Sequence, residues 1–297
     1  MDQIIKADQL KQFEKGESLW VGAWYRLRQN KMAVFSGIFI IFLTLLCFGL
    51  PMVVNLDYKD IQSEKYFTPP GGEFLMGSDH LGRDQFARIL YGGRISLLVG
   101  LAATLVSLTI GITYGAVSGY FGGVVDRVMM RIVDVLYALP FTMFVILLMV
   151  LFGDNILLMF AAIGAVEWLT MARIVRGQVI SLKKQEFIES CHSLGLRAPR
   201  IIFRHMVPNI LGPVIVYTTL TIPAVMILES FLSFLGLGVQ PPMTSWGTLI
   251  KDGADRTTVA WWMLVFPGAF FAATLFCFNF LGDGLRDALD PKTGRKG

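Results

Sequence analysis

Charge is what this chain has least of. Asp, Glu, Lys and Arg make up 16% of its 297 residues, against roughly 25% in a soluble domain, which excludes a water-exposed fold of this length. Cysteine is nearly absent too. The three present, Cys47, Cys191 and Cys277, exclude a disulfide framework and are expected as free thiols. Missing as well are the patterns that carry catalysis: there is no Walker A loop, no His-Glu-x-x-His, no serine elbow and no haem signature. The reading is therefore non-enzymatic, with no cofactor or metal held by the chain itself. Asp79, His80 and Asp84 are too few to converge on a cation and read as solvated turn residues. A net charge of +4 carries no nucleic-acid signal.

What is present in excess is apolar sequence. Hydrophobic residues reach 54% and mean hydropathy is +0.60, the composition of an all-α integral membrane protein with about six spans. The apolar runs are 33–54, 95–120, 132–152, 156–172, 210–235 and 259–281. They divide the chain into an N-terminal segment 1–32, a first span 33–54, an outer loop 55–93, a core of five spans over 94–285, and a tail 286–297. The first run is too long for a signal peptide and no small-residue cleavage site follows it. Gly111 and Gly115 stand at the GxxxG spacing used for close helix packing, while Pro140 and Pro223 fall inside spans and are attributed to packing.

Basic residues set the orientation. Lys6, Lys11, Lys15, Arg26, Arg28 and Lys31 precede the first span, Arg127 and Arg131 follow the second, and seven more lie between 173 and 204. The segments on the other side hold far fewer, so both termini are expected in the cytoplasm.

One polar island, 183–208, interrupts the apolar chain. Phe187, Cys191 and Leu194 recur at i, i+4 and i+7, and Ile188 widens the stripe, which predicts an amphipathic helix over 183–194. Gly195 stands where a left-handed residue ends a helix, Pro199 suits the first turn of another, and Pro208 is expected to end that one. A helix lying on lipid is the bland alternative. In the DRVMMRIVD stretch, opposite charges at helical spacing predict ion pairs within that helix end. Within the spans, Glu167 and Glu229 stand out, because a charge at mid-membrane costs roughly 2.5–3.5 kcal/mol on insertion scales. Each is either a buried partner to a hydroxyl, indole or basic group, or a residue lining a translocation path.

The island resembles the EAA loop of ABC-importer permeases: Glu189, Gly195 and Pro208 fall in register, with Ser190 and Cys191 in place of the two alanines, His205 for Ile and Val207 for Leu. The segments GSDHLGRDQFARILYGGRISLLVG, MARIVRGQVISLKKQEFIES, ESFLSFLGLGVQPPMTSWG and FNFLGDGLRDALDPK extend the likeness over nearly the whole chain. They point to the oligopeptide/dipeptide importer family and to the C-type of its two unlike permeases. That resemblance implies a type I ABC-importer permease fold in a bacterial inner membrane. It implies a homologous second permease, two cytoplasmic ATPase subunits that bind ATP and Mg, an extracytoplasmic peptide-binding protein, and surrounding lipid. It also implies that the island is a coupling helix. Phe187, Ile188, Cys191 and Leu194 would then be its apolar contacts, Glu186, Glu189, Arg197, Arg200 and Arg204 its polar ones, and Gly195 and Pro208 its turns. Permeases for dipeptides, nickel or glutathione are related, and an ion-coupled secondary transporter using Glu167 and Glu229 is the rival class.

Overall fold

Lipid offers no partner to a backbone N–H or C=O, so a chain this apolar must satisfy those groups within helices. The computed structural model does so, and it describes residues 19–54, 56–152 and 156–289. The basic residues expected at 6, 11 and 15 and in the extreme tail lie outside the described residues. Ten helices organise the rest: α1 (Leu19–Gln29), α2 (Lys31–Val53), α3 (Gln85–Phe121), α4 (Gly123–Ala138), α5 (Phe141–Phe152), α6 (Ile156–Leu182), α7 (Glu186–Ser193), α8 (Ala198–Phe234), α9 (Trp246–Ala254) and α10 (Trp262–Leu289). Among them α2, α3, α8 and α10 are long and apolar enough to cross a membrane by length and composition, and α4–α5 with α6 complete the bundle of about six.

Several boundaries differ from the sequence expectation, each for a physical reason. The outer loop ends at Asp84 instead of residue 93, because the Asp84 carboxylate caps α3 by accepting from the Phe86 N–H at 2.9 Å. The run 132–152 is two helices. Pro140 holds Leu139 extended at φ −72°, ψ 136°, and a residue before proline avoids helical backbone. Segment 1–32 contains α1, divided from α2 only by Asn30, whose side chain caps α2 through the Ala33 N–H.

Asp79 is the opposite of a solvated turn residue. Its fully buried carboxylate accepts from Arg83 Nε at 2.7 Å and Arg88 Nη1 at 2.6 Å, and from the Leu81 and Arg83 N–H groups at 2.8 and 2.9 Å. Burial alone would raise this acid, but the Arg88 guanidinium, Arg83 and the two N–H donors outweigh it and hold the carboxyl below its ordinary value. The loop is thereby pinned to the mouth of α3.

Two packing devices position what lies below. Where α3 meets α6, Gly111, Gly115 and Gly119 present bare backbone; a Cβ on Gly115 would collide with the Ala172 carbonyl oxygen, and one on Gly119 would sit 2.9 Å from that of Arg176. The expected GxxxG seam is real and one turn longer than its first two glycines. At the end of the bundle that carries the 56–84 loop, α9 wedges between spans. Its indole at Trp246 is fully buried and donates to the Ile89 carbonyl at 3.0 Å, while Ser245 and Thr248 close its first turn as a capping box.

Candidate functional site

The polar island forms a short helix slung between two spans. α6 runs on to Leu182, and Lys183, Lys184 and Gln185 make a turn before α7 begins. The helix is therefore shorter than the 183–194 the spacing predicts. Lys183 lies in that turn and donates from Nζ to the Tyr120 carbonyl at 2.6 Å. At its far end α7 closes as expected. Gly195 adopts φ +70°; its N–H donates to the His192 carbonyl at 2.9 Å and the Leu196 N–H to that of Cys191 at 3.1 Å. This is the paired 5→2 and 6→1 bonding of a left-handed helix stop.

The apolar stripe divides between two owners. At about 100° per residue, Leu194, Phe187, Cys191 and Ile188 fan over about 120° of the helix surface. The chain's own bundle takes one edge of that fan. Ile188 is 0% exposed and Cys191 7%, packed among Tyr120, Met171, Val175, Val179, Ile201 and Met206. The other edge is left open, with Phe187 40% and Leu194 77% exposed. Ile188 and Cys191 thus key α7 into the bundle. Glu186 and Glu189 are exposed, as are Arg197, just before α8, and Arg200 and Arg204 in its first turns. Phe203, 51% exposed between two of those arginines, belongs with them. A lone aromatic in a basic segment gave no periodic signal. An open groove of about 530 Å³ flanks the helix, lined by Gly119, Gly122, Ile180, Lys183, Lys184 and Glu189.

Pro208 does not end the second helix. Over Ile201–Met206 the backbone widens, so that the Val207 N–H reaches the Ile202 carbonyl. A tight turn over Val207–Ile210 then takes up the proline, and Asn209 Nδ2 bonds the His205 carbonyl at 2.6 Å. Helical backbone runs unbroken from Ala198 to Phe234, which is how a proline is tolerated when nearby groups re-satisfy the ladder.

The charged stretch after α3 also pairs differently from the expectation. Asp126 accepts Arg176 through Nε and Nη2, both at 2.5 Å, and Asp134 accepts Arg173 at 2.9 Å. These bonds tie α4 to α6 instead of linking neighbours within α4. They fix the helix from which α7 hangs.

The two span glutamates are not brought together. Glu229 is fully buried near the C-terminal end of α8 and accepts from Ser233 at 2.7 Å and from Ser96 of α3 at 3.4 Å, a hydroxyl-lined enclosure. Glu167 lies half-buried on α6 within electrostatic reach of Tyr217. Tyr217 itself lines an open cavity of about 550 Å³ with Ile174, Pro213, Val216, Leu220, Arg286 and Leu289. The sequence held no signal for that cavity, whose walls come from α6, α8 and α10.

Comparison with known proteins agrees with this architecture. Residues 111–295 match the family described as binding-protein-dependent transport system inner membrane component, and residues 18–70 match the N-terminal TM domain of oligopeptide transport permease C. The chain is 50% identical to the oligopeptide transport system permease protein OppC of Haemophilus influenzae, over 96% of this chain and 93% of the relative. It is 51% identical to OppC of Escherichia coli K12, over 94% and 93%. The dipeptide transport system permease protein DppC of Bacillus subtilis is 46% identical, over 92% and 86%.

Proposed function

The chain belongs to the family of binding-protein-dependent transport system inner membrane components, the permeases of ABC importers, and from that premise we propose that it carries oligopeptides inward and that α7 is its ATPase-coupling helix. The cargo follows from the names of its relatives: the two at 50% and 51% identity are oligopeptide permeases. The observation that carries the coupling role is the two-sided burial of α7. Ile188 and Cys191 lock it to the bundle, while Phe187, Leu194, Glu186 and Glu189 remain free, the division required of a part that must be fixed to one body and gripped by another.

In this reading a homologous second permease supplies the other half of the pore. Two cytoplasmic ATPase subunits bind ATP and Mg, and each permease presents one helix to a groove on their surface. Closure of the ATPase pair displaces α7, and the spans exchange inward-facing and outward-facing states. An extracytoplasmic peptide-binding protein delivers cargo to the loops around α9, both termini are cytoplasmic, and the membrane is the bacterial inner membrane. Arg197, Arg200 and Arg204 orient the docked helix against acidic groups of the ATPase. The hydroxyl-lined enclosure of Glu229 accounts for a carboxyl in a span without an ion-coupling role.

The test is co-purification of the tagged chain from gently solubilised membranes, with and without Glu189→Lys and Gly195→Pro, followed by ATPase and uptake assays. The wild type should bring a second permease and ATPase subunits. Gly195→Pro replaces φ +70° by a residue held near −65°, so both variants should insert and lose coupled uptake. Normal uptake in both would overturn the assignment.

A further inference from the structure

α1 is a two-faced helix whose inner face is spoken for and whose outer face is not. Ala23, Arg26, Leu27 and Asn30, at i, i+3, i+4 and i+7, turn toward the end of α10. Ala23 is 6% exposed, and Arg26 Nε donates to the Ala288 carbonyl at 2.8 Å. Gly284 of α10 leaves room for the junction, since a Cβ there would strike Ala33 and sit 3.4 Å from Asn30 and 3.5 Å from Leu27. The opposite face carries Trp20, Val21, Trp24 and Tyr25, all at least half exposed, at 50%, 62%, 57% and 67%. Four large apolar side chains in two turns do not stand in water without cause.

What covers them is argued from continuity and charge. Only Asn30 separates α1 from α2, and α2 continues outward-facing with Phe35, Ile38, Phe42 and Leu45 exposed, a stripe that lipid tails cover in any membrane-spanning arrangement. The aromatic face of α1 is joined to the start of that stripe. Its composition changes at the junction from aliphatic to Trp and Tyr, the residues favoured at headgroup level. The charge is of one sign: α1 holds Arg26 and Arg28 and no acidic residue. Arg28 lies 4.8 Å from the Trp24 ring centre, and Lys31 opens α2 on the exposed side. An aromatic face with a cationic margin matches the boundary between acyl chains and anionic headgroups.

We infer that α1 is an interfacial helix that binds the anionic phospholipid of the cytoplasmic leaflet through Trp20, Trp24, Tyr25 and Arg28, and that it anchors the last span there through the Arg26–Ala288 bond. Lipid charge thereby acts on α10 at the end farthest from the outer cap.

The test uses the full chain with whatever subunits accompany it. Photoreactive p-benzoylphenylalanine is placed at Trp24, and at Leu27 as an inward control. Both are illuminated in nanodiscs of phosphatidylethanolamine with one-quarter phosphatidylglycerol, and adducts are identified by mass spectrometry. The Trp24 probe should capture phospholipid and the Leu27 probe residues of α10. Phosphatidylglycerol should be over-represented among the lipid adducts by about fivefold per cation, and Arg28→Glu should abolish that excess. Capture at Trp24 of a second copy of this chain or of another subunit would overturn the inference. Lipid capture in proportion to bulk composition would overturn its anionic specificity.

Discussion

The split stripe of α7 makes a prediction that runs in opposite directions for neighbouring residues. Leu194 is 77% exposed and sits on the C-cap at φ −80°, ψ 4°, backbone that alanine adopts without strain. Leu194→Ala should therefore cost the free permease under about 0.5 kcal/mol. If an ATPase groove buries the side chain, the three lost carbons are worth about 2 kcal/mol, and docking should weaken by roughly thirtyfold. Ile188 is 0% exposed, so Ile188→Ala removes the same volume from the chain's own core and should lower its stability by about 2–5 kcal/mol. The assay pairs thermal unfolding of each purified permease with titration of ATPase subunits onto permease in nanodiscs. An unchanged docking affinity in Leu194→Ala, or an unchanged melting temperature in Ile188→Ala, would refute the assignment of the two edges.

Three further outcomes follow from other parts of the structure. Gly115→Val must push α3 from α6, because its first side-chain carbon already meets the Ala172 carbonyl; a loss of about 1–3 kcal/mol is expected, read as a lower unfolding temperature in detergent. Asp79 titrates below its ordinary value, which lies near 3.9, so its contribution is whole above that pH and fades as pH falls through the lower folded value. Arg88→Ala strips the buried guanidinium bonded to it at 2.6 Å, should cost about 3–5 kcal/mol, and should move the acid-unfolding midpoint upward; an unmoved midpoint would count against the buried pair. Glu229→Gln keeps an acceptor for Ser96 and Ser233 and should preserve uptake, whereas Glu229→Leu orphans both hydroxyls and should destabilise by about 1–3 kcal/mol. Abolished uptake in a stably folded Glu229→Gln protein would restore a path role.

The spans were legible because apolarity is a local property of the chain; their true ends were not, because tertiary partners satisfy polar residues there. Arg94 stands just before the apolar run 95–120, and its guanidinium bonds the Cys47 and Phe48 carbonyls at 2.6 and 2.9 Å, which keeps the first turns of α3 inside the bundle. Likewise Asp126 has Arg131 five residues on within the same helix, yet pairs with Arg176, fifty residues away. The stop at Gly195 was legible since left-handed backbone leaves a residue-type mark. The ownership of the stripe was not: spacing shows that four apolar residues share a side of α7, but only the neighbouring spans decide which edge they cover. α9 left a readable mark in Ser245 and Thr248 at capping spacing, between the apolar runs 210–235 and 259–281.

These details bear on how a push on α7 would travel. Eight residues are too few for a helix to hold its shape alone, so α7 must borrow rigidity from what it touches. It does so at both ends. The N–H groups of Lys183, Lys184 and Gln185 are all bonded back into α6, at 2.9, 3.3 and 2.9 Å, and the bonded stop at Gly195 leads within three residues into α8. Between them Ile188 and Cys191 enter the same core as Val175 and Val179 of α6 and Ile201 and Met206 of α8. A force on Phe187 and Leu194 thus meets no slack segment before it reaches both spans. From α6 it passes across the seam at Gly111, Gly115 and Gly119, where the α3 backbone is met directly by the α6 backbone and by the stems of Met171, Val175 and Val179, leaving little slack to absorb it. In the proposed importer α3 and α6 would therefore move as one body, and the unpacked cavity between α6, α8 and α10 is where the bundle has room to change shape.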